Sequence, residues 1–135
     1  MWATSLRASL FVLCVGCCLC STAMAQEVPA RPTGTEIRKI EGTVRLPHGA
    51  ATLREYVRYY YSHAKAGVRQ ISGVYIARTW LKPSEIPATG IIVVDRDSEI
   101  PAPSDAECSV LFLDFDPRSS DKVLATCSAG LFREK

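Results

Sequence analysis

The sequence predicts an α+β fold, in which a single amphipathic helix packs on a curled antiparallel sheet of about five strands in the order β-α-β-β-β-β. Three observations lead to this prediction. A helical apolar pattern begins at Thr52, behind a capping motif. Several short β-branched runs follow it, and near the carboxyl end a hairpin pattern brings two cysteines opposite each other. Helix and sheet each have an apolar face, and packing them together buries both.

The first segment of the chain predicts export. Residues 1–25 contain Arg7 as their one charged side chain, followed by an uncharged run over 8–20. The small residues Ala23 and Ala25 then fit the pattern that signal peptidase cleaves, so we expect a signal peptide that ends at Ala25. The apolar run is shorter than the roughly 20 residues that a membrane-spanning helix needs.

A lipid anchor is the alternative outcome of export. Cys17 follows Val15 and Gly16, as in a lipoprotein signal, but the position three residues upstream is Cys14 rather than an aliphatic residue. Acylation at Cys17 would leave the protein attached to a membrane, whereas cleavage after Ala25 would release it to the periplasm or the medium.

Beyond the signal peptide we predict a flexible leader over residues 26–36, which holds two prolines, and a single domain over 37–135. Only Arg7 is lost with the signal, so the remainder has 15 basic and 14 acidic residues and a net charge near +1. This balance argues against a nucleic-acid-binding protein, which usually has a strong basic excess. No apolar stretch in the remainder approaches membrane-spanning length.

The elements of the domain are predicted from periodicity. Residues 40–46 alternate as a half-buried strand. A helix then runs over 52–66, with Thr52 and Glu55 as its capping box and Gly67 at its end. Its apolar face consists of Leu53, Tyr56, Val57, Tyr60 and Ala64. Residues 68–78 form a strand in which Gly73 marks a bulge, and residues 90–95 form a buried central strand.

The last two strands, over 108–116 and 122–127, flank a turn and predict a hairpin. If Asp116 faces Ser119, the same register places Cys108 opposite Cys127, which predicts a disulfide in an oxidising compartment. A metal site is the alternative for these thiols, but the two histidines, His48 and His63, lie far upstream at no familiar ligand spacing.

The predicted topology is similar to that of the cystatin-like rolls. Cystatins enter protease clefts with a Gln-x-Val-x-Gly hairpin. Here the segment Gln70-Ile71-Ser72-Gly73 is one residue short, lacks the valine and lies inside a predicted strand. The resemblance therefore implies the fold only, since folds of this kind have unrelated functions.

Candidate binding residues lie on the outer face of the predicted helix. The side chains of Arg54, Arg58, Tyr61 and Lys65 follow a helical stripe with Tyr59 beside it, and Trp80 stands in a nearby loop. Tyrosine, arginine and tryptophan are enriched in binding hot spots. The alternative is a helix that buries Tyr56 and Tyr60 and leaves its other side chains in water.

No catalytic constellation stands out. His63 follows Glu55 and Tyr59 along one side of the predicted helix, and Asp95 and Asp97 form a carboxylate pair, but no serine or cysteine nucleophile accompanies them. Neither they nor Asp114, Asp116 and Asp121 complete a calcium loop, and no cofactor motif is present. We therefore expect a non-enzymatic exported protein that binds an envelope or secreted protein. The alternative is a small-ligand-binding domain or minor hydrolase with a cleft between helix and sheet.

Overall fold

The computed structural model describes residues 29–101 and 107–128. The predicted signal peptide and Cys17 lie outside the described residues. One helix, α1 (Gly34–Thr43), is followed by five strands, β1 (Tyr56–Lys65), β2 (Val68–Ala77), β3 (Ile91–Val93), β4 (Val110–Phe115) and β5 (Thr126–Cys127). The prediction of an α+β fold with a single helix on a sheet of about five strands is confirmed.

The predicted position of the helix, over residues 52–66, was wrong. It lies over Gly34–Thr43 and begins at its own capping box, in which the Thr33 amide donates to the Glu36 carboxylate over 2.8 Å. Ile37 and Ile40, one turn apart, are its buried residues. The helix thus begins inside the segment 26–36 that was predicted to be a leader, and it includes part of the predicted strand over 40–46.

The predicted helix over 52–66 is instead β1. The Glu55 carboxylate accepts the Thr52 amide over 2.8 Å, but this motif caps only a short 3₁₀ turn, Leu53–Glu55. β1 buries side chains on both faces along its first five residues, which a helix with one apolar stripe could not do. Ala66 and Gly67 then form a tight turn with φ values of 50° and 76°, as a two-residue hairpin to β2 requires.

The strands are ordered β3-β1-β2-β4-β5. The sheet is mixed, because β3 runs parallel to β1 and the other neighbours are antiparallel, so the fully antiparallel prediction was wrong. β3 is an edge strand with half-buried residues rather than a central buried one. Arg45, from the predicted strand 40–46, forms only a single bridge to Leu124.

The helix covers one face of the sheet. A core on that side contains Ile37, Ile40, Tyr56, Tyr60, Ile71, Tyr75, Leu111, Leu113, Phe115, Val123 and Ala125. Gly73 is regularly paired with Tyr60 and with Leu113, so it does not mark a bulge. A Cβ at this position would lie 2.9 Å from the Leu113 Cγ, so the glycine makes room for the leucine.

The disulfide between Cys108 and Cys127 is confirmed, with 4.6 Å between the two Cα atoms. The predicted hairpin register was wrong, however, because Cys127 pairs with Leu111 rather than with Cys108. The turn forms as expected, with the Ser119 amide donating to the Asp116 carbonyl. Directly beyond the turn, before β5, the chain does not pair with β4. Instead the Arg45 amide donates to the Val123 carbonyl, and the Ala125 amide donates to the Arg45 carbonyl.

Arg69 holds the segment before the helix against the sheet. Its guanidinium donates to the backbone carbonyls of Ala30 and Arg31 and to both oxygens of the Glu36 carboxylate, over 2.7 to 3.1 Å. The hydrogen bonds from Arg69, followed by those from Thr33, lower the pKa of Glu36 to about 2, although burial acts in the opposite direction. Arg69 thus holds the segment around Ala30 and Arg31 against β2.

Candidate functional site

The predicted stripe of arginine and tyrosine side chains does not form, because β1 sends alternate residues to opposite faces of the sheet. Arg58 lies on the helix side and Tyr61 and Lys65 on the other side, whereas Arg54 is exposed in the 3₁₀ turn before β1. Trp80 is 49% exposed in a separate 3₁₀ turn, Arg78–Trp80. The helical alignment that brought these residues together is therefore absent.

Arg58 is part of a buried polar network. Its Nε atom lies 3.0 Å from the Glu41 carboxylate of α1, and its terminal nitrogens donate to the Leu53 and Thr89 carbonyls. The hydroxyl of Tyr60 lies 3.3 Å from the same carboxylate and 2.8 Å from the hydroxyl of Tyr75. Burial raises the pKa of Tyr75 to about 12 and raises that of Tyr60 as well. Arg58 thus joins the helix to the sheet instead of facing a partner.

The sheet face opposite the helix, here called the helix-free face, is covered over only part of its area. The chain between β2 and β4 packs Leu81, Ile86, Val94 and Ile100 onto it. Tyr59, predicted to be an exposed binding residue, is buried beneath this cover. The cover does not extend to the other part of this face, beside Tyr61 and Asp114.

An open groove of about 700 Å³ occupies the uncovered part of the helix-free face. Its floor is formed by strands β1, β2 and β4, and one wall by the segment that leads into β5. It is lined by Tyr61, His63, Ser72, Gly73, Val74, Phe112, Leu113, Asp114, Lys122, Leu124 and Thr126. Leu124 is 66% exposed at the rim and, with Trp80, is one of two large apolar side chains that are exposed among the described residues.

A serine, an aspartate and a histidine meet on the groove floor. The Ser72 hydroxyl donates to Oδ1 of Asp114, and the His63 Nε2 lies 3.7 Å from the same oxygen. In a catalytic triad the histidine lies between the nucleophile and the carboxylate. Here the carboxylate lies between them, so the histidine receives no proton from the serine. The arrangement presents a carboxylate held in place by Ser72, rather than an activated nucleophile.

The groove has a second acidic side near Tyr61. A smaller pocket of about 260 Å³, lined by Tyr61, Ser62, His63, Asp95, Arg96 and Asp97, adjoins it. Burial raises the pKa of Tyr61; the hydrogen bond with Ser72 acts in the opposite direction, and the carboxylates of Asp97 and Asp114 raise the pKa further. Asp95 forms an ion pair with Arg31.

The pockets thus contain the His63 and Asp95/Asp97 groups that the alternative hypothesis placed in a cleft, but they lie on the helix-free face. On the other face, helix and sheet enclose an apolar core. Within residues 29–101 and 107–128, no group of three histidine, cysteine or acidic side chains is placed to hold a metal ion. The same part of the chain contains no helix that is long and apolar enough to cross a membrane.

Sequence reasoning missed most of the groove. Alternation along β4 is the signal that could have found it, since Phe112 and Asp114 share the face opposite to that of Leu111 and Leu113. Lys122, Leu124 and Thr126 could not be assigned to this face because their register depends on the bridge to Arg45. Neither a protein-family model nor a curated protein nor a solved structure matches this chain.

Proposed function

We propose that this is an exported, non-enzymatic protein whose envelope or secreted protein partner binds in the open groove of the helix-free face. The observation that carries the proposal is the incomplete cover of this face, which leaves a groove with an exposed leucine among oriented polar groups. A concave surface that combines exposed apolar area with a polar rim is typical of interaction sites and ligand-binding grooves.

The chemistry of the groove favours binding over hydrolysis. The Asp114 carboxylate keeps more than half of its side chain exposed and is oriented by Ser72, so it can accept hydrogen bonds from a partner. Lys122 adds an ammonium group to the lining of the groove. A buried serine bonded to a carboxylate, without a histidine as its base, is poorly suited to nucleophilic attack.

Capture from envelope extracts, with matched variants as bait, tests the binding site. We expect the pair Asp114→Lys with Leu124→Asp to lose a partner that the wild type retains, because it reverses the charge and removes the apolar contact. Lys39→Glu, on the exposed side of α1, is the matched control and should retain the partner. Retention by the groove variant would exclude this surface as the site. Loss by both variants would also exclude it.

The intact mass of the protein recovered from expressing cells tests export and processing. Export by the predicted route gives a chain that starts at Gln26 and lacks the two hydrogens of one disulfide. An acylated chain that starts at Cys17 would instead show a lipoprotein, and retention of residues 1–25 in the cytoplasm would contradict export altogether.

A further inference from the structure

β1 extends beyond the strand that pairs with its outer edge. β3 pairs with Arg58, Tyr59 and Tyr60, and the last bond at this edge runs from the Val94 amide to the Tyr60 carbonyl. β1 nevertheless continues to Lys65. Residues 61–65 therefore form an edge that has β2 on one side and no strand among the described residues on the other, here called the open edge.

The backbone of the open edge points outward at alternate residues. Arg58 donates its amide to Gly90, and Tyr60 accepts from Val94, so both direct their backbone groups towards β3. Because backbone direction alternates along a strand, Ser62 and Ala64 direct their N–H and C=O groups to the same side. No backbone hydrogen bond from the described residues reaches them there. Such unpaired groups are a template for another extended strand.

The end of this edge is accessible. Ala64 and Lys65 are exposed, and the pocket of about 260 Å³ lies alongside Tyr61, Ser62 and His63. Ser62 is only 8% exposed, and its Oγ has no hydrogen-bond partner in the described part of the chain. An added strand would lie alongside this space and pair with the outward backbone groups.

We propose that the open edge pairs with the same edge of a second copy of this chain. The two strands run antiparallel about a two-fold axis at His63. Ser62 of each copy then faces Ala64 of the other, and each such pair exchanges both N–H···O=C bonds. The other side-chain pairings that this register imposes are His63 with His63 of the second copy, at the axis, and Tyr61 with Lys65 of the second copy.

The charges fit this self-pairing. Lys65 forms no ion pair with a described residue, and neither does Asp97, which lines the same pocket as Tyr61. Lys65 of the second copy would reach the ring of Tyr61 and the carboxylate of Asp97 together, as a cation–π contact and an ion pair. The two-fold axis repeats this contact at the other end of the edge. The cation at one end of the edge thus complements the aromatic ring and carboxylate at the other end. Such self-complementarity favours a second copy of the chain over an unrelated strand.

The pairing is short, since each copy contributes the five residues 61–65 of a ten-residue strand. An interface of this length falls below the size of stable permanent dimers, so the association is reversible and depends on concentration. It lies at the edge of the sheet beside β3, whereas the groove opens towards β4 and β5. Tyr61 and His63 line the groove as well, but the inference rests on the unpaired backbone of the open edge and not on the proposed function.

Sedimentation velocity over a concentration series, on protein purified from cells that express the full chain, tests the pairing. Ala64→Pro removes an outward N–H that β2 does not use, and proline is tolerated at such an edge. We expect this variant to weaken association by about tenfold or more, because each copy loses a backbone bond. Ala64→Thr keeps the amide and should associate as the wild type does. Circular dichroism spectra that match the wild type confirm that both variants fold.

Charge exchange provides a second test that does not alter the backbone. Lys65→Glu and Asp97→Lys should each weaken association, and the double variant should restore it, because the two residues meet only between copies. Three results would overturn the proposal. The first is a wild type that remains monomeric up to about 1 mM. The second is an Ala64→Pro variant that associates as strongly as Ala64→Thr. The third is a double variant that associates no better than the single variants.

Discussion

The Nε atom of Arg58 lies 3.0 Å from the carboxylate of Glu41, and this contact joins β1 to α1 across the core. The Arg58 side chain is only 8% exposed. Its position explains why a residue predicted to bind a partner instead stabilises the fold. Removal of one partner of a buried ion pair is destabilising, because the other charge stays buried without compensation.

Removal of the Glu41 carboxylate should therefore destabilise the protein strongly. We expect Glu41→Ala to lower the free energy of unfolding by about 3 kcal/mol, because it leaves the Arg58 charge buried without its partner. Arg38→Ala, on the exposed side of the same helix, should change it by less than about 0.5 kcal/mol. Urea unfolding followed by circular dichroism measures both. Equal changes in the free energy of unfolding for the two variants would contradict a specific contribution of the Arg58–Glu41 pair.

Two glycines should respond in opposite directions to the same substitution. Gly73→Ala places a methyl group 2.9 Å from the Leu113 Cγ and should destabilise the protein by about 1–3 kcal/mol through overpacking. Gly42→Ala adds a methyl group inside α1 with no atom within 4 Å, and should stabilise it by about 0.5–1 kcal/mol. Thermal unfolding of the two variants measures the difference. A Gly73→Ala protein as stable as the wild type would contradict the packing described for this strand pair.

The disulfide should stabilise the protein because it lowers the conformational entropy of the unfolded chain. Replacement of Cys108 and Cys127 by alanine opens a loop with a sequence separation of 19. The chain-entropy model predicts a loss of about 3 kcal/mol. Urea unfolding with and without a reductant provides the control, because only the wild type should respond to reduction. A wild type that is equally stable in both conditions would show that the bond does not contribute.

The ion pair of Glu36 and Arg69 should appear in the acid limb of the stability profile. The pKa of Glu36 is about 2 in the folded protein, against an ordinary value of 4.5. A lowered folded pKa gives stability that is present above the unfolded value and is lost as the pH falls through the folded value. We expect Glu36→Gln to be less stable than the wild type at neutral pH and to have a flatter profile between about pH 5 and pH 2. The urea unfolding midpoints of both proteins across this pH range measure the difference. Parallel profiles would contradict the lowered pKa of Glu36.

The α+β class and the disulfide could be predicted from the sequence, because the periodic apolar runs indicate both kinds of element and Cys108 and Cys127 are the one cysteine pair beyond the predicted signal peptide. The place of the helix could not. Thr33 with Glu36 and Thr52 with Glu55 are both capping boxes at equal spacing, so the local signal does not distinguish them. Tertiary burial decides, since the tyrosines of β1 fill both faces of a sheet and the isoleucines of α1 fill one.

The groove depended on contacts that local patterns do not encode. Its wall forms because Arg45 pairs with the backbone of Val123 and Ala125 and draws this segment away from β4. Regular hairpin pairing, as predicted, would have covered the edge of β4 and left no wall for Leu124. A single long-range bridge thus changed both the register and the candidate site.

Site-specific photocrosslinking in living cells tests the central claim most directly. A photoreactive phenylalanine analogue at Leu124 lies at the rim of the groove, and the same analogue at Arg38 lies on the exposed side of α1. The account predicts a discrete adduct from the Leu124 position in the envelope or medium, which Asp114→Lys removes, and none from Arg38. No adduct at Leu124, or the same adduct at both positions, would contradict binding in the groove.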